Sequence, residues 1–483
     1  MIAARTYLHD EDTLHVSSMD ARHPGSAPAE PGGRGASPSR PPFADPGWRG
    51  LALLGGLAAL GLGTAVAALS FPRGSVDELA GGVAITLLSA CLIVWTASTT
   101  RPPTLPVIAT AGWLLQIVAT LAYYFGGFAL DASRYHGDGV AILEGRVPIA
   151  LSLGDWATDM VGVLVSLLYR VTGPSQLLGF VTFAAIALVA RIMLAQTLLR
   201  LRSTLGRPAD IAAIAIVTLP SLAWWLAAIS KETFSLLGIS LVLMGIARPP
   251  DDKPRIGFVL TGLAATALTR PHVTLLLAIA VVSYMLTLNS SPQQPVGRRI
   301  GTTLASLVLA FGAVNLAAAF LGVAPSLDGL QGAHENVSSI SDPGRSNIEQ
   351  RPIRSPGDVP NAIATVLLRP HLAEANSAPS MMQALETTLL VLLALWLVAQ
   401  RQRRRRHPLT GPAAQRIRAL RAFVWVYTAG FVYTFSGTFN LGLMSRQRSQ
   451  VLLPLALLAA TSFVAIRRRA PESGDRNSAQ SRV

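Results

Sequence analysis

The sequence is short of charge, of lysine and of cysteine, and each shortage excludes something. Only 14% of the 483 residues are charged, against roughly 25% in an ordinary soluble domain. Hydrophobic residues make up 51%, so most side chains expect hydrocarbon rather than water around them. The single Cys91 excludes an intramolecular disulfide and any cysteine-built metal site. Lysine occurs only at Lys231 and Lys253 among 40 basic residues. The arginines fall in short clusters between apolar runs, so the net charge of +14 does not describe one basic face, and nucleic acid is not an expected partner. No cleavable signal peptide is expected either. Residues 1–48 are polar and rich in Pro, Gly and Ser, which predicts a disordered tail, and the run from Leu51 would act as an uncleaved anchor.

What is present is a series of apolar runs, near 51–71, 78–97, 106–127, 176–199, 209–229, 233–247, 256–269, 273–288, 300–322, 383–400, 421–440 and 449–466. A bilayer-crossing helix needs about 20 apolar residues. The pattern therefore predicts an all-α, polytopic transmembrane helical bundle of about 12 spans. The short runs at 233–247 and 256–269 abut polar motifs and read as helices whose ends enter a polar cavity. Segment 156–170 is apolar but short and acidic at its start, and reads as a helix lying on the outer interface.

Basic clusters orient the chain. Arg200, Arg202 and Arg207, then Arg248, Lys253 and Arg255, then Arg298 and Arg299, then Arg401 to Arg421, then Arg467 to Arg469 all share one side if twelve runs alternate. That places both termini in the cytoplasm. The resulting organisation is a cytoplasmic tail 1–48, three spans in 49–127, and an outer loop with interface helices in 128–175. A transmembrane core 176–322, a second outer loop 323–382, and C-terminal spans 383–468 follow. A basic cytoplasmic loop 401–420 divides those last spans, and 469–483 forms a disordered tail.

The outward polar residues then form a short set. After the third run come Asp131, Arg134, Tyr135, His136 and Asp138, and between the fifth and sixth come Lys231 and Glu232. Arg270 and His272 follow the seventh run; Arg369, His371 and Glu374 end the second loop; Arg446 and Arg448 precede the last run. Charges beside spans are expensive and commonly line a cavity. Lys231, Arg270, Arg446 and Arg448 converging near one surface suit an anionic phosphate, which Arg forks bind bidentately and Lys binds as a point charge. Asp131 and Asp138 are candidate general bases, and as a pair they could also take a divalent cation, although none is required. Plainer readings stand beside these. Lys231 and Glu232 would serve as an interfacial pair capping a helix, Arg446 and Arg448 would snorkel to headgroups, and His272 and His371 would be satisfied interface histidines.

The acidic first outer loop with Asp131 and Tyr135-His136, and the interface helix ending in Tyr169-Arg-Val-Thr-Gly173-Pro174-Ser175, resemble bacterial envelope proteins of the C-type membrane glycosyltransferase kind. The stretch Leu219-Pro220-Ser221 to Ser230-Lys231-Glu232, and Arg446-Gln447-Arg448 followed by Pro454, are similar both to those proteins and to polysaccharide polymerases. The likeness covers about 106–466 as architecture. It implies sugar transfer to a glycan acceptor from a polyprenyl-phosphate donor at the outer face of the cytoplasmic membrane, in envelope polysaccharide biosynthesis. The base would be an acid of the first outer loop, here Asp131, or Asp138 in another register. In that superfamily the acidic loop follows the first span, whereas here it follows the third. A polymerase-like enzyme and a transporter or flippase of an anionic lipid-linked substrate are the alternatives.

Overall fold

The computed structural model describes residues 46–70, 75–98, 104–128, 130–148, 156–249, 252–290, 295–321, 355–403, 409–438 and 440–462, with 324, 353 and 464 singly. Of the expectations above, residues 1–45 of the N-terminal tail, Arg404 to Arg406, Arg467 to Arg469 and the C-terminal tail 469–483 lie outside them. The described residues belong to one unit, Phe43–Val483, and are all-helical, with no strand among them. The first helix already includes Pro46, inside the segment expected as tail.

Apolar runs become helices because only intra-segment hydrogen bonding satisfies their backbone away from water. The elements are α1 (Pro46–Ser70), α2 (Val76–Ser98), α3 (Thr104–Phe125), α4 (Leu130–Leu143), α5 (Trp156–Thr172), α6 (Gln176–Arg200), α7 (Arg202–Leu205), α8 (Arg207–Thr218) and α9 (Pro220–Trp225). They continue with α10 (Lys231–Ile246), α11 (Ile256–Thr269), α12 (Pro271–Asn289), α13 (Val296–Leu321), α14 (Val359–Ile363), α15 (Ala378–Arg403), α16 (Gly411–Phe435) and α17 (Leu441–Ser462). Among the described residues eight helical stretches are long and apolar enough to cross a membrane: Gly50–Ser70, Val76–Ser98, Thr104–Phe125, Gln176–Arg200, Arg207–Trp225, Pro271–Asn289, Arg299–Ala319 and Ala378–Trp396. The other apolar runs are helical too, but α10 and α11 are shorter than those eight, and α16 and α17 carry several arginines.

Hydrogen bonds sort the helix ends into two groups. At one end of the bundle Asp77 accepts from the Leu177 amide (3.2 Å) and from the Tyr124 hydroxyl, tying the starts of α2 and α6 to the end of α3. Asp131, Glu232 and Arg446 meet at this carboxylate-bearing end. At the arginine-rich end, Arg416 donates to the carbonyls of Arg248 (3.3 Å) and Pro249. There Gln415 reaches Ser290 Oγ (3.0 Å) and Arg421 reaches the Val464 carbonyl (2.8 Å).

Two packing features set the functional end. Gly238 of α10 faces Gly262 of α11 so closely that a Cβ on either would stand 2.4–2.5 Å from the other's carbonyl oxygen. Small residues permit this approach, and the antiparallel pair brings the start of α10 beside the end of α11. Pro220 separates α8 from α9, because proline lacks an N–H and clashes with the preceding turn. The orphaned groups on either side are met by side chains. Val217 O accepts from Arg191 Nη1 (3.2 Å), and Ser221 N donates to Glu386 Oε2 (2.8 Å). Gln116 Nε2 supplies the carbonyls of Ala223 (3.0 Å) and Leu226 (3.2 Å), and its own carbonyl accepts from Arg191.

Between α3 and α6, α4 and α5 pair through Tyr135, Val161, Val165 and Tyr169, closing over Phe180 and Ile229. The segment expected as an interface helix is thus one partner of a helix pair. Of the second long loop, residues 355–377 form short helical turns. Arg448 of α17 holds them by donating to the carbonyls of Leu367 (2.9 Å) and Arg369 (2.8 Å).

Candidate functional site

The site is built around Glu232. It lies in the first turn of α10, where the helix dipole favours a carboxylate, and its side chain is fully buried. The glycine contact between α10 and α11 places Arg270, at the α11–α12 junction, against it, and the two form an ion pair. From the other side comes Arg446 of α17. Its Nη2 lies 2.8 Å from Glu232 Oε2 and its Nη1 donates to Asp131 Oδ2 at 2.6 Å. Gln447 Nε2 adds a longer bond to Glu232 Oε1 (3.3 Å), and Gln450 Nε2 donates to Gln447 Oε1 (2.6 Å). The two guanidiniums compensate a carboxylate that would otherwise be an unpaired buried charge.

Asp131 is the exposed end of this chain of charges: 66% of its side chain is open, against 17% for Arg446. Arg446 occupies Oδ2, and most of the Asp131 side chain remains open. Lys231 Nζ sits 6.0 Å from the centroid of the buried Tyr135 ring, and burial pushes the Tyr135 hydroxyl up to about 12. The cluster therefore holds three cations, Lys231, Arg270 and Arg446, against two carboxylates, Glu232 and Asp131.

Asp131, Tyr135, Lys231, Glu232, Arg270 and Arg446 are thus brought together from four separate segments. The remaining candidates make other contacts. Asp138 pairs with exposed Arg134 at 3.8 Å. It lies seven residues beyond Asp131 on α4, about 10 Å along the axis, so the two carboxylates do not address one cation. Among the described residues no group of three or more His, Cys, Asp or Glu side chains could hold a metal. His136 turns to the Tyr169 hydroxyl (2.7 Å), and burial lowers its pKa. His272 stands edge-on to Phe435, ring centroids 6.2 Å apart. Arg369 and Glu374 clasp each other (Nε to Oε1 2.8 Å, Nε to Oε2 3.1 Å), and the Arg369 bond holds the Glu374 carboxyl below its usual range. Glu374 also accepts from the His371 amide (3.1 Å). Arg448, expected at the phosphate, instead spends its guanidinium on loop carbonyls. Arg270 and Arg446 are not free cations either, because Glu232 lies between them.

Beside the charge cluster runs a groove of about 330 Å³, lined among others by Tyr123, Phe128, Trp224, Trp225, Glu374, Asn376, Gln383 and Ser445. Ser445 borders Arg446, so groove and cluster share the start of α17. Trp224 stands at steep angles to Tyr123 (5.3 Å between centroids) and Phe128 (5.4 Å). Trp225 Nε1 donates to Gln383 Oε1 (3.3 Å).

Several of these residues carried no role in the sequence reading. Gln447 and Gln450 are polar on a face that spacing alone does not single out. Arg191, Gln116 and Glu386 did carry a signal, being ionisable or amide residues inside apolar runs. No family model matches the chain, and no curated protein or solved structure is significantly similar to it.

Proposed function

We propose that the chain is an inverting membrane glycosyltransferase that moves a sugar from a polyprenyl-phosphate-type donor to a glycan acceptor at the outer face of the cytoplasmic membrane. The observation that carries this reading is the half-engaged carboxylate of Asp131, fixed by Arg446 at 2.6 Å beside a cluster with an excess of cations, at one end of an apolar bundle. In this reading the acceptor hydroxyl oxygen attacks the anomeric carbon as its proton passes to Asp131 Oδ1. The anomeric carbon's bond to the phosphate oxygen breaks, and the polyprenyl phosphate leaves as an anion. Lys231, with Arg270 and Arg446 behind it, would stabilise that departing charge, and preorganised charge of this kind is commonly the largest catalytic contribution. Glu232 would hold the two arginines in place. Polymerisation of lipid-linked repeats would use the same chemistry with a longer donor.

In this reading α10, α11, α16 and α17 are spans alongside the eight stretches above, which makes twelve. The positive-inside rule then puts the arginine-rich end and both termini in the cytoplasm. The break at Pro220 favours a second reading, transport, because transporters bind solutes at discontinuous helices. Here, however, Arg191, Gln116 and Glu386 already occupy the groups around the break.

Transfer from a radiolabelled polyprenyl-phosphate sugar pool in membranes, at matched expression, tests the proposal. Asp131→Asn should lower transfer by about 10²–10⁴-fold, the usual worth of a general base, with donor binding nearly intact. Arg446→Ala should weaken both. Full transfer by Asp131→Asn would remove Asp131 as the base, and uptake without any glycosidic product would favour transport.

A further inference from the structure

The groove beside the charge cluster has a composition that the cluster does not explain. Tyr123, Phe128, Trp224 and Trp225 supply its aromatic wall, and Asn376, Ser377, Ser380 and Gln383 supply hydroxyl and amide groups. Glu374, the one charged lining residue among those described, is engaged by Arg369 through three hydrogen bonds. Among the described residues no lining side chain is cationic, so this lining offers an anionic phosphate no partner. Its volume falls in the range of small-ligand pockets.

The wall is also held in place. Trp224 and Trp225 sit on α9, whose flanking backbone groups are met by Arg191, Gln116 and Glu386 (2.8–3.2 Å). Trp224 packs against two further rings, and Trp225 is oriented by Gln383. A rigid aromatic face costs little entropy on binding. Aromatic rings carry negative charge on their faces, which attracts the weakly positive C–H face of a pyranose, while amides and hydroxyls meet its equatorial hydroxyls.

From this composition we infer that the groove binds neutral sugar residues. Its assignment to the acceptor glycan rests on the transferase reading, but carbohydrate binding itself does not. The division of labour follows from charge: the donor phosphate goes to the Lys231 side and the uncharged rings go to the tryptophan side.

The test is retention of the purified full chain, in lipid nanodiscs, on an array carrying neutral and anionic bacterial oligosaccharides. Neutral glycans should be retained. Trp225→Ala should reduce retention by about tenfold, the scale of one aromatic contact, and Trp225→Phe should keep much of it because a ring face remains. Glu144→Ala, which removes an exposed partner of Arg146, should leave it unchanged. If Trp225→Ala does not give monodisperse protein, Asn376→Ala on the exposed loop replaces it, with a several-fold loss expected. Absence of any neutral glycan, retention of anionic ones only, or undiminished binding by the folded variant would overturn the inference. Array binding without sugar transfer in membranes would instead leave the groove standing and remove the transferase reading.

Discussion

Glu232 makes the strongest quantitative prediction, because one buried carboxylate serves Arg270, Arg446 and Gln447 together. Glu232→Ala would leave Lys231, Arg270 and Arg446 facing one another with only Asp131 to balance them. Breaking a buried ion pair by removing one partner costs about 3–5 kcal/mol. The single-pair figure applies rather than twice that, since Arg446 keeps Asp131 at 2.6 Å. At roughly 2 °C per kcal/mol for a large domain, the apparent melting temperature should fall by about 6–10 °C. The assay is fluorescence-detected melting in nanodiscs at one fixed scan rate, because unfolding of such proteins is irreversible and scan-dependent. Glu232→Met combined with Arg270→Met should recover part of the loss, since a packed apolar pair replaces a buried ionic one without an orphaned charge. Glu144→Ala, which removes an exposed partner of Arg146, should leave the melt where it was. A Glu232→Ala melt within a degree of wild type, or a double variant no better than the single, would refute the reasoning.

Two further outcomes follow from the same geometry. Gly238→Val should destabilise by about 1–3 kcal/mol through overpacking, because even a Cβ meets Gly262 O at 2.4 Å; an unchanged melt would contradict the close crossing of α10 and α11. His136 is held neutral by burial beside Tyr169, so its folded pKa lies below the unfolded value near 6.5. Its contribution is present above pH ~6.5 and is lost as pH falls through the lowered value. Hydrogen-exchange protection factors of α4 and α5, corrected for the intrinsic pH dependence of exchange, should fall on acidification below pH ~6.5, and His136→Phe should flatten that dependence; equal slopes in both proteins would sink it.

Hydropathy made the helices legible, since each apolar run is mostly helical where it is described, with 209–229 broken at Pro220, and it gave the level of each polar motif along the bundle. That is why Asp131, Lys231, Arg270 and Arg446 could be grouped from sequence although up to 315 residues separate partners. Level does not give azimuth, however. The sequence could not say that Glu232 stands between Arg270 and Arg446, or that Arg448, two residues beyond Arg446, turns to the carbonyls of Leu367 and Arg369. Nor could it separate Asp131 from Asp138 on α4, which only the reach of Arg446 distinguishes. Arg191 and Glu386 were legible in principle as charges inside apolar runs. Their role was not, because it depends on which backbone groups Pro220 leaves unpaired.

The account stands on Asp131 and Arg446 meeting at a cell-exterior end of the bundle, and cross-linking tests that directly. In a Cys91→Ser background, Asp131→Cys and Arg446→Cys would be introduced together, and intact cells treated with a short, membrane-impermeant bis-maleimide. The account predicts an internal cross-link between positions 131 and 446, and none when Asp131→Cys is paired with Thr410→Cys at the arginine-rich end. A cross-link from 131 to 410, or labelling of position 410 in intact cells, would contradict it.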